Sequence, residues 1–72
     1  MTIGQSIRYQ RKKLGMKQAD LAKRVGTPQC YISWWETNRI FPSIFNAISL
    51  ADAFGITLDE LVGRKEKTNE GK

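Results

Sequence analysis

Histidine is absent from the chain, and cysteine occurs once, as Cys30. Without histidine, zinc fingers and the commonest general base are excluded. A lone thiol forms neither an internal disulfide nor a thiolate metal cluster. Cys30 therefore reads as a small unreactive side chain on a helix surface, with redox sensing or an intermolecular disulfide as the alternative. No metal or cofactor is expected. Acidic residues are scarce, 7 against 12 lysines and arginines. No paired carboxylate site or phosphate-cradling glycine loop stands in for the missing base, so an enzyme is not expected. Long apolar runs are also lacking, and nothing approaches the roughly 20 residues needed to cross a bilayer. The first residues lack a signal peptide's apolar core, because Gly4, Gln5, Ser6 and Arg8 interrupt it. These absences predict a cytoplasmic chain with no membrane partner. No effector domain is evident, so no small-molecule ligand is expected.

What is present is basic charge on a small globular composition. The 72 residues carry a formal net charge of +5, with 40% hydrophobic residues, enough for one domain rather than disorder. A chain this short buries only about 60% of its unfolded surface, so its core is marginal and dimerisation would help. Polyanions are the favoured partners of such a charge. Its distribution sharpens the point: from Arg8 to Arg39, Arg11, Lys12, Lys13, Lys17, Lys23 and Arg24 intervene against only Asp20 and Glu36. A basic surface that is merely solvated is the plain alternative, and for Lys23 and Arg24 it is the reading adopted.

The hydrophobic spacing predicts an all-α fold of five helices, with a domain over residues 1–62 and a charged flexible tail over residues 63–72. The first helix runs from Ile3 to about Leu14, opened by a capping box of Thr2 and Gln5. Its stripe uses Ile3, Ile7 and Leu14, with Arg11 in the same phase, and Gly15 stops it. The second begins near Lys17 or Gln18 and ends at Gly26. The third starts at Thr27 or Pro28, since proline is preorganised for a first turn. Ser43 caps a fourth carrying Ile44, Ala47, Ile48, Leu50, Ala51 and Phe54, closed by Gly55. Thr57 and Glu60 form another capping box for a short fifth helix through Leu61 and Val62.

The most informative stretch lies between Gln18 and Glu36. A short amphipathic helix with Leu21, Ala22 and Val25 meets Gly26. A second short helix follows, with Ile32 and Trp35 on one face and Gln29, Cys30, Ser33 and Trp34 available on another. Two short helices joined by a glycine-containing turn constitute a helix-turn-helix, whose second helix suits the DNA major groove. Arg11 and Glu36 sit in the phase of apolar stripes, and charges on buried faces need partners. They are expected to form a structural ion pair.

The chain resembles the phage repressor and Cro-type helix-turn-helix family, also called xenobiotic-response-element regulators. The resemblance covers about Ile3 to Val62. Its marks are Ile7-Arg8-x-x-Arg11, Gly15-Met16-Lys17-Gln18, Leu21-Ala22, Gly26, Gln29, Ile32-Ser33-x-Trp35-Glu36, Pro42-Ser43, Leu50-Ala51 and Gly55-Ile56-x-Leu58-x-x-Leu61. Each is weak alone, but the order and spacing are specific. Four positions depart from the family pattern. Lys17 replaces a capping Thr or Ser, and Pro28 occupies the cap before the recognition helix, where Thr27 is expected to take over. Gln10 replaces an apolar residue, and Trp34 a polar or basic one.

The resemblance implies a compact lambda-repressor-like domain and a homodimeric transcriptional regulator, most often a repressor, on palindromic double-stranded DNA. Base reading falls to Gln29, whose amide pairs with adenine N6 and N7, and to Ser33, with Cys30 and Trp34 suited to thymine methyl groups. Trp34 is open to two other readings, a partner surface or partial packing. Phosphate anchoring is implied for Lys17, Gln18, Asn38, Arg39 and Ser43. Tyr31 either contacts a phosphate or covers the helix flank. Arg11 and Glu36 fall at positions the family pairs. Ile40, Phe41, Phe45 and Leu58 either finish the core or form the dimer interface. A restriction-modification controller or antitoxin-like autoregulator is an alternative of the same class. A protein-interaction module with Trp34 and Phe45 as anchors is one of a different class.

Overall fold

Local capping chemistry sets where each helix starts. The structure is a computed structural model describing residues 1–63. Thr2 Oγ1 accepts from the Gln5 amide at 3.1 Å, while the Thr2 amide donates to Gln5 Oε1 at 2.9 Å. This reciprocal box opens α1, Ile3–Lys13. Asp20 reaches back to the Lys17 amide at 3.0 Å and opens α2, Gln18–Val25. α3 spans Gln29–Glu36. Ser43 Oγ accepts from the Asn46 amide at 3.2 Å to open α4, Ile44–Phe54. The box of Thr57 and Glu60 opens α5, Leu58–Val62. All secondary structure among the described residues is helical, as the spacing predicts.

The core gathers one face from every helix. Ile7, Leu21, Ala22, Ile32, Trp35, Ala47, Leu50, Ala51, Phe54 and Leu61 are buried together, with Ile3, Met16, Val25, Ala53, Ile56 and Leu58 packed at its margin. α3 lies against α2 and α1; α4 lies against α2, α5 and α1; and α1 also meets α5. α3 is thus braced from two sides, while Gln29, Cys30 and Tyr31 on its remaining side are exposed. No helix among the described residues is long and apolar enough to cross a membrane.

Two expectations are corrected. Leu14 leaves the apolar stripe: α1 ends at Lys13, and Leu14, in the cap beyond the last turn, is 51% exposed. Thr27 does not cap α3. Its amide, like that of Gly26, donates to the Ala22 carbonyl at 2.9 Å, so Thr27 still belongs to the turn leaving α2. Its hydroxyl donates only to the Pro28 carbonyl, at 3.4 Å. α3 therefore starts one residue after Pro28, with no side-chain cap. Of the apolar residues that α4 carries, Ala47, Leu50, Ala51 and Phe54 turn inward, while Ile44 and Ile48 lie outside the core, 57% and 44% exposed. The expected tail, Gly63 excepted, lies outside the described residues.

Candidate nucleic-acid interface

The turn between α2 and α3 fixes how the second helix is presented. Gly26 takes φ 77°, in the left-handed region, where a residue with a Cβ is strained. That single residue redirects the chain so that α3 crosses α2. Ile32, Trp35 and Glu36 are buried on the inner face of α3. Gln29 and Cys30 are exposed on the outer face, with Ser33 half-buried one turn further on. Glu36, the only acidic residue of α3, points inward, so the outer face carries no carboxylate.

What holds α3 is a buried ion pair with two auxiliary bonds. Arg11 Nε donates to Glu36 Oε2 at 2.6 Å and Arg11 Nη2 to Glu36 Oε1 at 3.0 Å, a bidentate fork. The two side chains are only 10% and 2% exposed. Arg11 Nη1 donates to the Met16 carbonyl at 2.8 Å, anchoring the link between α1 and α2. Gln18 Nε2 donates to Glu36 Oε1 at 3.1 Å, tying the first residue of α2 to the last of α3. The hydrogen bond to Glu36 raises the Arg11 pKa above its ordinary value and outweighs the opposing desolvation. A raised basic pKa means that the stability it brings is complete below the unfolded value and is lost only in strong alkali. Arg11 is a cation at every working pH.

A second junction lies at the other end of α1. Asn38, just past α3, adopts φ 61°, a left-handed conformation rare for a residue with a side chain. Its Oδ1 accepts from the Gly4 amide at 3.1 Å, and its Nδ2 donates to Thr2 Oγ1 at 3.0 Å. A Cβ on Gly4 would stand 2.5 Å from the Trp35 carbonyl oxygen and 2.7 Å from that of Glu36. Backbone meets backbone here, and only glycine fits.

The helix-turn-helix family model matches residues 7–61. The chain belongs to this helix-turn-helix family. It is 38% identical over 68 residues to repressor protein C2 of Salmonella phage P22, covering 93% of the chain and 32% of the relative. It is 33% identical to the CTXphi transcriptional repressor RstR of Vibrio cholerae, covering 89% of the chain and 57% of that protein. The chain therefore spans from about a third to somewhat over half of the length of these relatives. Among solved structures, P22 c2 repressor in complex with a synthetic operator superposes with a TM-score of 0.85 at 35% identity, covering 90% of this chain and 98% of that one. The restriction-modification controller C.AhdI of Aeromonas hydrophila matches with a TM-score of 0.78 at 32% identity, covering 82% and 89%.

Around this helix-turn-helix, the remaining expected residues fall into four groups. Lys17, Arg39 and Ser43 are exposed, and the Ser43 hydroxyl accepts from the Asn46 amide. Gln18 and Asn38 are engaged inside the protein through the bonds described above. The aromatic residues of α3 form a group of their own. Tyr31 and Trp34 have ring centroids 5.5 Å apart, and Tyr31 meets Trp35 at 6.1 Å with its plane turned by 70°. Tyr31 thus packs along the flank of α3 while 40% of it stays exposed, and Trp34 is partly packed against it with part of its surface open. Ile40, Phe41 and Phe45 lie at the surface, the two phenylalanines 72% and 78% exposed, whereas Leu58 packs at the margin of the core.

Sequence reasoning missed Gly4, the Met16 carbonyl and the structural use of Asn38. Gly4 had a readable signal, since glycine inside a helix is unfavourable unless something approaches closely. The Met16 carbonyl had none, because any residue supplies a carbonyl.

Proposed function

We propose that the chain is a sequence-specific double-stranded DNA-binding transcriptional regulator, most simply a repressor, acting as a homodimer on palindromic operators. One observation carries the reading. α3 is fixed on its inner face by Ile32, Trp35 and the Arg11–Glu36 pair, while Gln29 and Cys30 stand exposed on a face without carboxylates. The P22 relative, whose structure is a complex with an operator, supports it. Gln29 is the principal base reader, Ser33 and Cys30 are its neighbours, and Trp34 adds apolar contact. Lys17, Arg39, Ser43 and Tyr31 anchor phosphates, which set register and affinity rather than sequence choice. Phe41 and Phe45, with Ile40, supply the apolar surface for a second copy. Two copies would place their recognition helices about 34 Å apart, one turn of duplex. The likeness to C.AhdI favours, as a second reading, a restriction-modification controller.

Selection of bound sequences from random duplexes tests the proposal, with a two-fold symmetric consensus as the expected result and no enrichment as the result that refutes it. Two substitutions separate the roles. Gln29→Ala weakens the selected operator by about 1–3 kcal/mol and relaxes the consensus at one position of each half-site. Arg39→Ala weakens operator and unrelated duplex alike, and lowers the slope of log affinity against log salt by about 0.9 per protomer. Titrations at four or more salt concentrations measure both effects. Mutants binding both duplexes as tightly as wild type would remove these assignments.

A further inference from the structure

Asn38 is the natural candidate for a phosphate contact, since it lies in the loop after α3, yet both ends of its amide are already committed to the start of α1. We infer that the junction of Asn38 with Thr2 and Gly4 is a latch that sets the angle of the recognition helix, making Asn38 a positioning residue for sequence discrimination rather than a DNA ligand. The inference rests on the DNA-binding reading above.

The latch is built from groups that need one another. The first amides of a helix have no partner within it. At α1 the Gln5 amide goes to Thr2 Oγ1 and the Ser6 amide to the Thr2 carbonyl, but the Gly4 amide finds its acceptor 34 residues away, on Asn38. Thr2 Oγ1 accepts from Gln5 and Asn38 at once, so the cap of α1 and the exit of α3 share one oxygen atom. The left-handed conformation of Asn38 points its side chain back toward α1, and the absence of a Cβ on Gly4 lets the two backbones close. The amide-rich start of α1 then faces the carbonyl-rich end of α3, with opposite partial charges in contact.

This junction adds to the hold that Ile32, Trp35 and the Arg11–Glu36 pair already have on α3. The ion pair ties the end of α3 to Arg11 near the end of α1, and Asn38 ties the exit of α3 to Thr2 and Gly4 at the opposite end of α1. Core packing and one polar hold leave a small tilt available; a second polar hold on a distant point of α1 restricts it. From Glu36 to Gln29 the helix is about 10 Å long, so a tilt of roughly 6° moves the Gln29 end by about 1 Å. Base readout tolerates less than that, because direct contacts need side chains held within about 0.5 Å. Non-specific contact with phosphates is far more forgiving. The latch therefore acts on the preference for operator over random sequence and not on overall affinity.

The test compares the full chain and its variants on the operator obtained by selection and on an unrelated duplex of equal length, at one salt concentration. Asn38→Gly keeps the left-handed backbone while deleting both side-chain bonds. Its operator affinity is expected to fall about fivefold, with affinity for the unrelated duplex within about twofold of wild type. Thr2→Val shifts the preference in the same direction and Thr2→Ser restores it. The double variant loses less than the product of the two single losses, because both remove the same junction. Hydrogen exchange without DNA gives an independent measure: the Gly4 amide is protected in wild type and loses protection in Asn38→Gly. Equal losses on both duplexes would make Asn38 a phosphate ligand and overturn the inference. So would an unchanged preference with only a lower melting temperature, or a Gly4 amide unprotected in wild type. A wild type that does not prefer the selected duplex refutes the DNA reading and this inference together. A wild type that discriminates, with an Asn38→Gly variant that discriminates equally, refutes the latch alone.

Discussion

Glu36→Ala is expected to cost about 3–5 kcal/mol of stability, the penalty for stranding one member of a buried ion pair. Arg11 would keep the Met16 carbonyl as an acceptor but lose both carboxylate bonds, leaving a cation almost out of water. The reverse variant, Arg11→Ala, strands Glu36 with only the Gln18 amide to stabilise its charge. For a chain of this length the whole stability is roughly 4–11 kcal/mol at the usual value per residue. Either single substitution therefore removes a large part of it. Urea unfolding followed by tryptophan fluorescence measures the loss, with Trp35 in the core as reporter. The informative control is the double variant Arg11→Met with Glu36→Leu, which removes both charges and refills their volume. Such exchanges of a buried pair for apolar side chains are often neutral or stabilising, so the double variant is expected to recover most of the wild-type midpoint. If it unfolds as readily as the singles, Arg11 and Glu36 do more than satisfy each other. The control also guards a functional conclusion, since lost DNA binding in Glu36→Ala alone would report unfolding rather than a lost contact.

That pair is legible in the sequence because charge in an apolar phase is a local contradiction that only a partner resolves. The capping boxes at Thr2 and Thr57, the turn at Gly26 and the buried face of α3 were legible for a related reason: their causes lie within a few residues of one another. α4 shows where such reasoning stops. Ile44, Phe45, Ala47, Ile48, Leu50, Ala51 and Phe54 occupy more than one face of the helix, so apolar spacing alone does not select the inner one. Neighbouring helices select it, and they leave Ile44, Phe45 and Ile48 exposed. The same limit explains the outer residues of the site. Gln29 and Lys17 could be read as surface from their own chemistry, but the engagement of Gln18 by Glu36 and of Asn38 by Gly4 depends on contacts 18 and 34 residues away. Thr27 failed as a cap for a smaller reason: Gly26 bends the chain so tightly that the Thr27 amide still serves the end of α2.

Gly4→Val is the second substitution expected to have a large effect, and it acts through shape alone. A Cβ at this position meets the carbonyl oxygens of Trp35 and Glu36 and the Asn38 Oδ1 atom, at 2.5, 2.7 and 2.6 Å. Two of these are backbone atoms of the recognition helix and have no rotamer by which to retreat. Valine adds two further methyl groups to the same gap, so α1 and α3 must separate. The loss is expected to reach or exceed about 3 kcal/mol, the upper end for overpacking, although valine is no worse a helix former than glycine. Gly4→Ala should fall between valine and wild type, whereas propensity alone would have alanine stabilise the helix by about 1 kcal/mol. The sign of the alanine variant is thus the decisive measurement. Destabilisation in thermal and urea unfolding means that the close approach governs this position; stabilisation would mean that the end of α3 gives way cheaply. The separation that makes Gly4→Ala unstable also pulls the Gly4 amide from Asn38, so the folded fraction should prefer operator over random duplex less strongly than wild type does.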